Sequence, residues 1–155
     1  MTFIEAAVAA MPVADEEEKH PEARLYDASR DAKSDVDAAI LRAEADGRLV
    51  LLVLGANWCH DSRAFAGWTQ EPRFQQLIAE HYELVFVNVG MPQTGDGHNL
   101  DIARRFDIEV KGTPTVIILS PLGKVLNADT AKTWRNAASH SEDAIFDELL
   151  RFTGA

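Results

Sequence analysis

The sequence has little cysteine: among 155 residues, Cys59 is the only one. A single thiol excludes a disulfide within the chain and a metal site built from several thiolates of one chain. No apolar run reaches the roughly 18 residues that a membrane-spanning helix needs. Residues 1–13 contain no Lys or Arg and are interrupted by Glu5, which is atypical of a signal peptide. We therefore expect a cytoplasmic protein, or a periplasmic one if a leader has been removed.

Basic residues are also few, with 15 Lys and Arg against 25 Asp and Glu, and the net charge is −10. This balance disfavours binding to nucleic acid and to anionic membrane surfaces. A hydrophobic content of 46% at this length predicts one domain with its own core. The charge run from Asp15 to Lys19 predicts an acidic leader or tail over residues 1–23. The folded domain is then expected over residues 24–155, as a monomer.

Hydrophobic periodicity predicts strands that alternate with helices. The spacing Ser34-x-x-Asp37 predicts a helix that begins at Ser34, and Gly47 predicts its end. The expected strands lie over residues 24–26, 49–54, 84–89, 116–119 and 125–126, and the expected helices over 34–46, 59–68, 72–80, 99–106 and from 141 onwards. This order predicts an α/β protein with a mixed sheet of four to five strands and helices on both faces.

The segment Trp58-Cys59-His60-Asp61-Ser62 follows the first buried strand directly, where a helix is expected to begin. Free backbone N–H groups and the helix dipole favour a thiolate at such a position. A protonated His60 would add to this effect, and Asp61 would oppose it. The hydroxyl of Ser62, one helical turn further, can donate to the sulfur. It cannot attack the sulfur as a second thiol would.

A second motif, Lys111-Gly112-Thr113-Pro114-Thr115, precedes an aliphatic strand. With Trp-Cys-x-x-Ser upstream of it, the chain resembles the thioredoxin family over residues 24 to 152. The resemblance implies a thioredoxin-like fold in which Cys59 is the nucleophile and Pro114 is a cis proline opposite it. It also implies that the groove of Trp58, the Thr113 main chain and Pro114 binds an extended substrate segment.

The chain departs from that family at three positions. Val53 stands where the family usually has a buried acid, Gly55 where it has a tryptophan, and Ser62 where it has the second thiol. The residues for attack on a disulfide and for substrate docking are therefore expected to be present. The second thiol and the buried acid, which would release the substrate from Cys59 within the chain, are missing.

These observations favour a monothiol thiol–disulfide oxidoreductase or isomerase that acts on protein or small-molecule disulfides and thiols. It would need no resident cofactor, only an external thiol such as glutathione as co-substrate. The alternative is a non-redox peptide-binding module in which Cys59 is vestigial. Iron–sulfur coordination by Cys59 and glutathione from two protomers is disfavoured because no glycine follows the cysteine. An engineered origin of Ser62 stays open.

The remaining candidates carry less weight. His60 is expected to tune the thiol or contact solvent. The other histidines have no metal-ligand spacing with one another or with acids, so we predict surface residues and no metal site; they are His20, His81, His98 and His140. Trp134 is expected to pack in the core.

Overall fold

The computed structural model describes residues 20–154. Most of the predicted acidic tail, residues 1–19, lies outside the described part of the chain. Residues 20–23, also predicted as tail, contact the domain: Ala23 N donates to Arg63 O over 3.1 Å.

The fold is the expected mixed α/β arrangement. In the described part of the chain the main sheet has three strands, with β1, Leu49–Gly55, at the centre between β2, Tyr82–Asn88, and β5, Thr115–Leu119. The central strand β1, Leu49–Gly55, is buried at every position, which explains its unbroken aliphatic sequence. It pairs in parallel with β2, Tyr82–Asn88, and antiparallel with β5, Thr115–Leu119. A small second sheet joins β3, Gly90–Met91, to β4, Asp96–Gly97, within the predicted polar loop.

The prediction of four to five strands in the main sheet was wrong at both of its edges. After the turn at residues 121–124, only Val125 forms a bridge, to Leu119. The side-chain amide of Asn127 then replaces a strand: its Oδ1 accepts from Ile118 N and its Nδ2 donates to Val116 O, both over 2.8 Å. Asn127 is fully buried, so its amide satisfies the backbone groups that a fourth strand would have paired.

Residues 24–26 likewise form no strand. The side chain of Asn57 provides the pairing there, because its Oδ1 accepts from Tyr26 N over 3.0 Å and its Nδ2 donates to Tyr26 O over 3.2 Å. This contact fixes the incoming segment beside the link between β1 and the following helix.

Within residues 20–154, five α-helices cover the sheet: α1 Ala32–Asp46, α2 His60–Thr69, α3 Pro72–His81, α4 Leu100–Arg104 and α5 Glu142–Arg151. Helix α1 begins earlier than predicted because Asp31 caps it, accepting from Ser34 N over 3.1 Å. Ser34 supplies an amide to the cap rather than the capping oxygen. The predicted end at Gly47 is confirmed, with φ at 70°, as is the start at Ser141, which accepts from Ala144 N.

The alternation of β1 side chains divides the core between the two faces of the sheet. Leu49, Leu51 and Val53 pack with residues of α2, α3 and α5. Val50, Leu52 and Leu54 pack with residues of α1 and α4. Trp134 lies in the first core with 3% of its surface exposed and meets Phe65 edge to face, so its predicted packing role is confirmed.

Among residues 20–154, no helix has the length and apolar character required to cross a bilayer.

Candidate active site

Cys59 occupies the N-cap position of α2, at the end of a tight link from β1. Its N–H donates to Ala56 O over 3.1 Å, and its carbonyl accepts from Arg63 N over 2.9 Å. The backbone at Cys59 is extended, with φ −91° and ψ 124°. Its thiol therefore lies at the positive end of the helix, and 9% of the residue surface is exposed.

The closest polar partner of the thiol is Thr113, on the loop before β5. Thr113 Oγ1 donates to Cys59 Sγ over 3.1 Å, and Sγ lies 3.5 Å from the Thr113 carbonyl oxygen. The Thr113–Pro114 peptide bond is cis. The resemblance implied a role for the main chain of Thr113 only. The hydroxyl could have been noticed there, since a threonine beside the motif proline carries the one side-chain donor within Gly112-Thr113-Pro114.

Ser62 lies within the protein beneath the thiol and is fully buried. Its Oγ accepts a hydrogen bond from Ala56 N over 3.2 Å, and its carbonyl accepts from the hydroxyl of Tyr26 over 2.8 Å. The expected donation from Ser62 to the Cys59 sulfur is not among the hydrogen bonds within residues 20–154, where the side-chain donor to that sulfur is Thr113. Ser62 thus holds the link between β1 and α2 in place.

Two departures from the family pattern have a steric meaning here. A Cβ atom at Gly55 would lie 2.5 Å from Ser62 Oγ and 2.8 Å from Tyr26 Cε1, so a side chain fits at this position only if these two residues shift. Val53 is fully buried within the apolar core. Neither position brings a carboxylate toward the thiol.

Trp58 lies at the surface beside the thiol, with 47% of its area exposed. Its Nε1 donates to Gly90 O over 2.9 Å, which fixes the indole against the small β3–β4 sheet. Met91 follows on the same loop and is 40% exposed. Together these side chains give the site an exposed apolar rim.

Asp61 points away from the thiol toward the 3-10 segment, Thr133–Ser139. Its Oδ1 accepts from Ala138 N over 2.8 Å. This bond ties the first turn of α2 to the 3-10 segment, so Asp61 has a structural partner in addition to the tuning role predicted for it.

His60 contacts two residues that the sequence did not connect with the site. Its Nδ1 lies 3.3 Å from Glu22 Oε2, and its Nε2 lies 3.2 Å from His20 Nε2. Arg63 donates to Glu22 Oε1 over 2.9 Å. This hydrogen bond is the main cause that lowers the pKa of Glu22 below its ordinary value. His20 was predicted as an isolated surface residue, whereas the structure places it against the active-site helix.

Residues 31–121 match the family model of thioredoxin-like proteins. A disulphide isomerase from Xylella fastidiosa Temecula1 is similar in structure, with 30% identity and a TM-score of 0.76 over 84% of this chain and 98% of that one. A thioredoxin from Thermus thermophilus shares the fold at 20% identity and a TM-score of 0.51, over 75% of this chain and 82% of that one. The comparison with curated proteins gives no match.

The matched model spans most of the described domain, including the whole segment from Trp58 to Ser62 and the loop with Thr113 and Pro114. On this evidence, the chain belongs to the thioredoxin-like family.

Proposed function

We propose that this protein is a monothiol thiol–disulfide oxidoreductase or isomerase that acts through a mixed disulfide at Cys59. The observation that carries the proposal is the 3.1 Å hydrogen bond from the Thr113 hydroxyl to the sulfur at the start of α2. A thiolate there receives a side-chain donor and the positive end of a helix, which are the surroundings of reactive cysteines. The similarity to a protein described as a disulphide isomerase supports the same chemistry.

In the first step, the Cys59 thiolate attacks one sulfur of a substrate disulfide. A new sulfur–sulfur bond joins Cys59 to that half of the substrate, and the substrate disulfide breaks. The other half leaves as a thiolate and takes a proton from solvent. Cys59 is oxidised in this step and the departing sulfur is reduced, while the attacked sulfur stays at the oxidation level of a disulfide.

In the second step, a thiolate from outside the chain attacks the substrate sulfur of the mixed disulfide. The electron pair of the broken bond returns to Cys59, which is released as a thiolate. An attacking cysteine from the same substrate gives isomerisation, and a separate thiol such as glutathione gives exchange with that thiol. The chain itself cannot perform this step, because Cys59 is its only cysteine and position 62 carries a hydroxyl.

The substrate is held by the rim and loop that flank the thiol. The exposed indole of Trp58 offers an apolar surface, and we expect the main chain at Thr113 and Pro114 to pair with an extended segment of the substrate. A protein or peptide disulfide would use both contacts, and a mixed disulfide of glutathione is the small-molecule alternative.

To test the proposal, the purified protein is incubated with oxidised glutathione, and the intact mass of the product is measured by mass spectrometry. We expect one glutathione per chain, located on Cys59 by peptide mapping, and none on Cys59→Ser. The matched control is Ser139→Ala, a serine whose hydroxyl bonds only within the 3-10 segment, to Asn136 O. Absence of any adduct on the wild-type protein would contradict the proposal and favour a peptide-binding module.

A further inference from the structure

Two histidine rings meet at the surface beside the active-site helix. Their Nε2 atoms are 3.2 Å apart, and the ring centroids are 4.7 Å apart with the planes inclined at 73°. The residues are His20, in the segment before the domain, and His60, the first residue of α2. They lie 40 positions apart in the chain.

The other nitrogen of each ring faces an acceptor. His60 Nδ1 lies 3.3 Å from Glu22 Oε2, and His20 Nδ1 lies 3.2 Å from the carbonyl oxygen of Pro21. An imidazole whose Nδ1 donates to a carboxylate or a carbonyl keeps the lone pair of Nε2 for a metal ion. In that tautomer both Nε2 atoms can act as ligands of one cation, in place of the hydrogen bond that the two rings can form with each other.

The segment that carries His20 and Glu22 is held closely against α2. A Cβ atom at Gly67 would lie 2.4 Å from the carbonyl carbon of Pro21, so the absence of a side chain there permits the approach. The backbone bond from Ala23 N to Arg63 O and the ion pair of Arg63 with Glu22 fix the segment further along. The two rings are therefore positioned by the fold before any ligand arrives.

We propose that His20 Nε2 and His60 Nε2 bind a divalent transition-metal ion of the zinc class, with Glu22 as the carboxylate that orients His60. Two zinc–nitrogen bonds of about 2.0–2.1 Å at a tetrahedral angle place their nitrogens about 3.3–3.4 Å apart, close to the separation found here. A carboxylate or carbonyl on the second ring nitrogen is the usual partner of a metal-bound histidine. One oxygen of Glu22 also lies within 4.8 Å of a nitrogen of each ring.

The site is open on its solvent side, since His60 is 54% exposed and Glu22 40% exposed in their side chains. Water or an incoming ligand would complete the coordination. This proposal is independent of the proposed thiol chemistry, because the two ligand nitrogens, of His20 and His60, make no contact with Cys59 in the hydrogen bonds described above.

The test uses the untagged full chain and two probes, Zn²⁺ by isothermal titration calorimetry and Co²⁺ by visible absorption. We expect one ion per chain and, in NMR spectra, shifts of the His20 and His60 ring signals on addition of Zn²⁺. Because the ligands lie at the surface, circular dichroism of each variant is expected to match the wild type.

Single variants assign the ligands. Glu22→Gln keeps an acceptor but removes the charge, and is expected to weaken binding about ten- to a hundredfold. His20→Ala and His60→Ala are expected to weaken it more. His98→Ala is the matched control, with a side chain 57% exposed beside Asp96, and is expected to bind as the wild type does.

Three results would overturn the proposal. They are absence of binding by the wild type, wild-type affinity in His20→Ala, and an equal loss in His98→Ala. Cys59→Ser separates this site from the thiol: retained binding supports the histidine pair, and lost binding shows that the ligands are assigned wrongly. Failure of Cys59 to form a glutathione adduct would leave the metal measurement unaffected.

Discussion

The hydroxyl of Thr113 donates a hydrogen bond to the sulfur of Cys59 across 54 positions of the chain. The bond links the start of α2 to the loop before β5, so Thr113 contacts the thiol through its side chain and is also the residue whose main chain we propose to bind substrate. A negative charge on sulfur strengthens such a bond, and bonds to charged groups contribute about 1.5–3 kcal/mol.

Thr113→Val should slow the formation of the mixed disulfide at Cys59 by about three- to tenfold, because the thiolate loses its side-chain donor. Stopped-flow or quenched reaction with oxidised glutathione at fixed pH measures the rate. Thr115→Val is the matched control: it removes a buried hydroxyl that bonds to Gly112 O and not to the sulfur. Equal rates for Thr113→Val and the wild type would show that the hydroxyl does not act on the thiol.

Ser62→Cys should restore an internal release step. The new thiol stands three residues after Cys59 in the first turn of α2, where it can attack the mixed disulfide and expel the substrate. We expect a disulfide between positions 59 and 62 after the exchange, visible as the loss of two hydrogen atoms in the intact mass. The glutathione adduct should disappear without added thiol. Ser62→Ala is the control, because it changes residue 62 without adding a thiol. The glutathione adduct of this variant is expected to persist.

Gly55→Ala should destabilise the fold by about 1–3 kcal/mol, since its Cβ would overlap Ser62 Oγ and the Tyr26 ring. Urea unfolding measures the loss. The double variant Gly55→Ala/Ser62→Ala removes the atom nearest to the new methyl group. It should show a favourable coupling energy in the double-mutant cycle, and strict additivity would argue against this contact.

Tyr26→Phe should cost about 0.5–1.5 kcal/mol at neutral pH, because the bond from its hydroxyl to Ser62 O is lost. Burial, and secondarily charge on Cys59, raises the pKa of Tyr26 well above its ordinary value. The hydroxyl therefore contributes stability that is fully present below the unfolded-state pKa of about 10 and falls as the pH rises above it.

The stability difference between Tyr26→Phe and the wild type should accordingly narrow above pH about 10. Urea unfolding of both proteins across that range measures it, and the contribution of Tyr82 cancels because both proteins contain it. A difference that stays constant with pH would contradict the account of Tyr26.

Local sequence patterns predicted much of this fold, because β1 needs an unbroken apolar run and helices need recognisable ends. Gly47 and Ser141 are examples of such ends. The edges of the sheet were not predictable in the same way. Asn57 and Asn127 replace strands with their side-chain amides, and an asparagine in a loop carries no sequence signal for which backbone groups it will bond.

In the candidate site, too, the residues in sequence motifs were predicted and the contacts made by the tertiary fold were not. Cys59 and Thr113 were found because each sits in a recognisable motif. The pairing of His20 with His60 depends on how the incoming segment crosses α2 at Gly67, and no spacing along the chain encodes that crossing. The hydrogen bond from Ala56 N to Ser62 Oγ was also not predicted. The sequence pattern indicates that a residue is buried, but it does not indicate which group the hydroxyl of that residue will bond.

The lifetime of the isolated glutathione adduct at Cys59 tests the central claim most directly. The adduct is freed of excess reagent and followed by intact mass, with and without reduced glutathione. A chain with one cysteine has no internal route to release, so we expect the adduct to persist alone and to decay at a rate proportional to the added thiol. Decay at one rate irrespective of added thiol, or failure to form the adduct, would contradict the account.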